Sequence, residues 1–195
     1  VTLASWTVSA QPVGPGLNTK TPNVAAVCFG TNVSATFNAG SGGVGCSDNY
    51  VLIIDGGSPV AYTSGSLVGA TANTSIVIQG RRANCTSGSG CNGTAYATLA
   101  SWIVKPVPMS ALSASQTDVC PNTEVTLNAN CSIPTATVNW NPGAPTVTPN
   151  AATLPYIYKA SCVADGCTGN ESSVEIRTHR ILVDIKDLDV GTLPL

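Results

Sequence analysis

Apolar and polar residues alternate in short runs along this chain, and the runs end at glycine, proline, asparagine or cysteine. Val33, Ala35 and Phe37 alternate with Asn32, Ser34 and Thr36. A period of two puts one set on the buried face of a β-strand. Tyr50-Val51-Leu52-Ile53-Ile54 is a continuous apolar run that suits a central strand, closed by an Asp55-Gly56-Gly57 turn. Further strands are predicted around Leu17, at 60–62, at 75–78 and at 94–104. In the second half they fall at 112–115, 124–131, 137–140, 155–162 and 173–181. No stretch of ten residues carries a helical period. Short strands at regular spacing, punctuated by turns, predict an all-β chain of β-sandwiches.

One strand pattern occurs twice. Thr98-Leu99-Ala100-Ser101-Trp102-Ile103-Val104 matches Thr2-Leu3-Ala4-Ser5-Trp6-Thr7-Val8 at six of seven positions. Alternation places Leu99, Ser101 and Ile103 on one side, with Thr98, Ala100, Trp102 and Val104 on the other. A proline segment follows each copy: Pro12-Val13-Gly14-Pro15 and Pro106-Val107-Pro108. The offset of 96 residues is a domain length. Both copies read as the last strand of a repeated β-domain. The expected organisation is a terminal strand of a preceding repeat at 1–11, a first repeat domain at 12–106, a second at 107–183, and a linker at 184–195. The apolar strand at 1–11, through Leu3, Trp6 and Val8, either seeks a sheet edge in another subunit or packs against the first sandwich.

Composition excludes several partners. Only 9% of residues are charged and the net charge is −2, against a usual ~25% charged. Such a chain is a poor partner for nucleic acid or an anionic membrane surface. It has no run of eighteen apolar residues, so no membrane insertion is expected. Its eight cysteines fit disulfides formed outside a reducing cytosol. Zinc sites want close pairs such as Cys-x2-Cys. The closest pairs here are Cys85-x5-Cys91 and Cys162-x4-Cys167, and the single His179 is remote.

The two halves share a cysteine plan. The first reads Cys28-x17-Cys46-x38-Cys85-x5-Cys91 and the second Cys120-x10-Cys131-x30-Cys162-x4-Cys167. In the second, Trp140 lies on the strand after Cys131, and this order of Cys131, Trp140 and Cys162 resembles the immunoglobulin fold. The chain is thus expected to be two tandem disulfide-bonded Ig-like β-sandwiches. That resemblance favours Cys131–Cys162 and, by analogy, Cys46–Cys85. Cys131–Cys167 and Cys46–Cys91 are close rivals, and Cys28, Cys91, Cys120 and Cys167 are expected to be oxidised in a pairing that spacing does not settle.

A narrower resemblance follows from Thr-Leu-Ala-Ser-Trp, the Gly80-Arg81-Arg82-x-x-Cys85 turn, Thr94-Ala95-Tyr96, and the closing Asp184-Ile185-Lys186-Asp187-Leu188-x-Val190-Gly191-Thr192. Together these are similar to the giant repeat-built surface adhesins of gliding bacteria that use type IX secretion. That resemblance implies an extracellular, cell-surface fibre used for attachment, gliding motility or prey capture.

Catalytic chemistry finds little support. A Ser-His-Asp triad needs a histidine, and His179 lies between Arg177 and Arg180 on a solvated final strand. Asp48 and Asp55 flank a strand and read as turn residues rather than a glycosidase pair. Asp184, Asp187 and Asp189 are the one acidic cluster, a weak candidate for calcium between domains; no other cofactor is expected. Arg81-Arg82 would suit a sugar or carboxylate, or simply a solvated strand end. The chain therefore reads as a non-enzymatic, structural and adhesive repeat segment. Its expected partners are neighbouring repeats, further copies in a filament and surface glycans. The alternatives are a carbohydrate-binding module or accessory domains of a secreted hydrolase.

Overall fold

The structure is a computed structural model, and it describes residues 4, 8–71, 75–86, 92–141, 145–150 and 155–179. The chain divides into two compact units, Val1–Val107 and Pro108–Leu195.

In the first unit the strands are β1 (Gly16–Thr21), β2 (Ala26–Cys28), β3 (Asn32–Asn38), β4 (Ser47–Ile54), β5 (Val60–Ala61), β6 (Val68–Gly69), β7 (Ser75–Ala83) and β8 (Ala97–Lys105). One sheet has the order β1-β3-β6 and the other β2-β8-β7-β4-β5. The alternation that predicts β3 sets its burial: Val33 and Ala35 are buried. They meet Leu52 from β4, Ile76 and Ile78 from β7, and Ala100, Trp102 and Val104 from β8 in one core. β2 runs parallel to β8 while β7 runs antiparallel on its other side. The chain crosses from β1 in one sheet to β2 in the other at the cis Thr21–Pro22 bond.

The second unit repeats the plan with β9 (Ser110–Ala114), β10 (Asp118–Val119), β11 (Val125–Cys131), β12 (Thr137–Asn141), β13 (Thr146–Val147), β14 (Tyr156–Ala164), β15 (Cys167–Thr168) and β16 (Ser172–Thr178). Its sheets are β13-β11-β9 and β10-β16-β14-β12, with β15 hairpinned onto β14. Again a short strand, β10, runs parallel to the last one, β16. Val119, Val125, Leu127, Tyr158 and Ile176 form the core, with Trp140 packed against it. Two facing antiparallel sheets, with the first strand split between them and its second half parallel to the last strand, are the immunoglobulin plan in both units. Among the described residues there is no helix.

The cysteines make the two units differ. Cys131 on β11 bridges to Cys162 on β14 and so links the two sheets. A further bridge is Cys46–Cys85. Cys46 leads into β4 and Cys85 follows β7, and these strands are neighbours in one sheet, with Ser47 opposite Ala83. The favoured pairs are those of the structure, yet only Cys131–Cys162 has the inter-sheet geometry that the analogy implies. Cys28 and Cys167 are disulfide-bonded as well. Cys120 departs from expectation: it is an exposed free thiol. It sits in the turn before β11, whereas Cys131 ends that strand. Six steps of ~3.3 Å from Val125 to Cys131 separate the strand's ends by roughly 20 Å, far beyond the reach of a bridge. Cys91 lies outside the described residues.

A second departure concerns Leu99. Ile78 faces Ala100 but Gln79 faces Thr98, so Leu99 is an extra residue in β8. This bulge reverses the parity at that end. Thr98, which strict alternation puts on the side of Ala100, Trp102 and Val104, is exposed where those three are buried, and Leu99 turns over Gly80, where any added Cβ would lie 2.5 Å from Leu99 Cδ1.

Candidate functional site

Two features of the first unit carry chemistry. The first is the repeated strand. In its second copy, β8 is sandwiched between β7 and β2, and the alternate residues Ala100, Trp102 and Val104 are buried. Trp102 Nε1 donates to the Pro22 carbonyl at 3.0 Å, and Lys20 Nζ lies 5.0 Å from its ring centroid. The position between β7 and β2 is therefore filled. In the first copy, Val8 is 94% exposed, while its counterpart Val104 is 3% exposed. Leu3 and Trp6 lie outside the described residues. Just after the motif the chain docks on the glycine-rich loop: Gly43 N–H donates to the Ala10 carbonyl at 2.8 Å, and Val13 and Ser41 exchange backbone hydrogen bonds of 2.7 and 3.0 Å.

The second feature is the Arg81-Arg82 pair on β7. Successive residues of a strand face opposite sides, and the two arginines meet opposite fates. Arg82 turns inward to Asp48, its partner across the ladder, with Nη1 3.0 Å from Oδ1. Arg82 Nε also donates to the Gly42 carbonyl at 2.8 Å, and Gly40 N–H donates to Asp48 Oδ2 at 2.8 Å. Both side chains are largely buried, so this pair fastens the glycine-rich loop to the sheet. Asp48, read from the sequence as a turn residue, is instead the anchor of that loop. Nothing in its local sequence reveals this, because the partner is 34 residues away.

Arg81 turns outward. Its guanidinium carbon lies 4.5 Å from the Tyr96 ring centroid, and it forms no ion pair among the described residues. Its Nε is buried and has no hydrogen-bond partner. Arg81 and Tyr96 line a cleft of about 380 Å³ together with Asp48, Asn49, Tyr50, Val51, Ala61 and Tyr62. Tyr50 stacks on Phe37 at 4.5 Å; burial first, and the Asp48 charge second, raise its phenol above the ordinary pKa.

The remaining candidates are simpler. His179 Nε2 lies 2.8 Å from Asp118 Oδ1, with both side chains mostly exposed. Asp184, Asp187 and Asp189 lie outside the described residues. Among the described residues, no three His, Cys, Asp or Glu side chains come together as a metal-binding group, and no helix is long and apolar enough to cross a membrane.

No family model matches the chain, and neither does any curated protein. Solved structures do. One is the complex of the mouse coronavirus receptor-binding domain with its murine receptor, with 11% identity, a TM-score of 0.39, and coverage of 85% of this chain and 100% of that one. Another holds the fibronectin(III)-like modules of Clostridium thermocellum CbhA, with 16% identity, a TM-score of 0.38, and 82% and 93% covered. A third is the ectodomain of mouse nectin-like molecule 4, with 12% identity, a TM-score of 0.33, and 88% and 65% covered. The fold itself rests on the strand order and pairing above. The chain is a tandem pair of disulfide-bonded immunoglobulin-like β-sandwiches. Bridges of this kind form and persist in oxidising compartments, which makes it a domain pair of the secreted or extracellular type.

Proposed function

We propose that this chain is a non-catalytic structural and adhesive segment of an extracellular surface fibre, of the kind that gliding bacteria export by type IX secretion. One observation carries the reading: the same strand motif is core in one copy and exposed at Val8 in the other. An apolar strand edge without a sheet is a template for pairing. Residues 1–11 then complete a sandwich in a preceding repeat or in another copy of the chain. Head-to-tail completion does not close on itself and yields an open filament. Multivalency gives such a fibre strong hold through weak contacts.

Electron microscopy of the non-reduced protein tests this, with Val8→Asp and Trp6→Asp variants beside it. Filaments whose repeat matches two sandwiches, lost in both variants, are expected. Isolated two-lobed particles for every protein at high concentration would overturn assembly by this segment. Loss of filaments on chelation would support a calcium requirement, for which Asp184, Asp187 and Asp189 are the candidates.

A further inference from the structure

We infer that the Arg81–Tyr96 cleft is a binding site for a glycan bearing a carboxylate. This goes beyond the fibre reading and does not rest on it.

The argument starts from the guanidinium. Arg82, one residue on, has its charge met by Asp48. Arg81 has an aromatic ring under it and a buried Nε that donates to nothing. A buried donor without a partner is costly and calls for an explanation, a bound group in the adjoining cleft being one. The ring holds the planar fork in place, so little side-chain freedom is left to lose on binding. A fixed guanidinium fork matches a carboxylate, two N–H groups to two oxygens. Asp48 also borders the cleft, but its charge is held by Arg82 and by Gly40 N–H. The excess charge there is the one positive charge of Arg81.

The other walls describe the rest of the ligand. Asn49 stands opposite Arg81 in the ladder and offers an amide to hydroxyl groups. Val51 and Ala61 give a small apolar surface for a sugar ring, and Tyr96 remains 38% exposed. About 380 Å³ lies at the small end of the ligand-site range and suits one or two pyranose units. An acidic peptide fits less well. Peptides add to a free strand edge, and the edge strand beside the cleft is β5, whose two residues, Val60 and Ala61, offer too short a ladder for an added strand.

The test is a titration of the full oxidised chain, read by amide NMR shifts. The probes are a glucuronate-containing tetrasaccharide, its carboxyl-reduced form, and tetraglutamate. Shifts from the acidic sugar should centre on Asn49, Val51, Ala61, Arg81 and Tyr96. Carboxyl reduction, and Arg81→Gln, should each weaken binding about tenfold or more. Arg81→Lys should bind between these limits, and Arg177→Gln in the second unit should bind as the parent does. No shifts in the cleft would overturn the inference. Equal binding of the reduced sugar would show that no carboxylate is read, and equal binding of tetraglutamate would show simple charge attraction; either also overturns it. The reduced-sugar comparison needs no variant, so it decides the matter even where Arg81→Gln fails to fold. Filament formation has its own readout, so failure of one reading leaves the other standing.

Discussion

Tyr62 shows how one side chain ties two sheets together. It is buried, its hydroxyl accepts from Ala35 N–H at 3.1 Å and donates to the Ser66 carbonyl at 2.8 Å, and its ring meets Phe37 edge-on at 6.1 Å. Tyr62→Phe keeps the ring and orphans the backbone partners. Thermal unfolding should show a loss of about 1–2 kcal/mol, and a parental midpoint would refute the role. From the sequence, Tyr62 closes a short strand; nothing nearby reveals that its hydroxyl reaches Ala35. Glu171 is a surface counterpart. Asn141 donates to its carboxylate at 3.3 Å, and Lys159 lies 3.3 Å away; both hold its pKa below the ordinary value, Asn141 foremost. A depressed carboxyl contributes stability above its unfolded-state pKa and loses it as pH falls through the folded value. Carboxyl NMR titration should therefore place the Glu171 midpoint low, and Asn141→Ala should move it back up.

At the scale of elements, alternation was a sound guide wherever one face of a strand is buried and the other wet. That describes β3, β8 and β11, whose buried residues follow the expected parity except at the Leu99 bulge. It failed for the two-residue strands other than β5. β6, β10, β13 and β15 are too short to show any period, and pairing alone defines them. For β15 a signal existed: Asp165 and Gly166, both at positive φ, form an Asp-Gly hairpin turn. β7 was expected to stop at Ile78, because Gln79-Gly80-Arg81-Arg82 interrupts the apolar run. It continues to Ala83 because Arg82 finds Asp48, and because Gly80 leaves room for Leu99. Gly80→Ala would force a Cβ to within 2.5 Å of Leu99 Cδ1 and 3.0 Å of Pro15 Cγ. Overpacking of this kind costs about 1–3 kcal/mol, so the variant should unfold at lower denaturant with an unchanged slope. A parental midpoint would mean that Leu99 and Pro15 yield freely, and that the bulge does not depend on glycine.

For the whole molecule, the sequence made the repeat visible but not the different exposure of Val8 and Val104 in its two copies. Identical residues take opposite environments because burial belongs to the sheet that receives them. β8 is held by β7 and β2, and a second strand of the same pattern has no room there. If residues 1–11 complete a sandwich elsewhere, the interaction should be transferable to a free strand. A synthetic peptide of residues 1–11, added in excess to assembling protein, should occupy acceptor sites and shorten filaments in proportion to its concentration. The same peptide with Trp6→Asp should not, because an aspartate at the core-facing position would bury an unpaired carboxylate. The bridges Cys46–Cys85 and Cys131–Cys162 must stay oxidised throughout. Loops of 39 and 31 residues each contribute roughly 4 kcal/mol in the chain-entropy model, and their loss would mimic failed assembly. Filaments that form normally in saturating peptide would show that the contact between copies does not use this strand. The exposed Val8 would then belong to a surface with some other role.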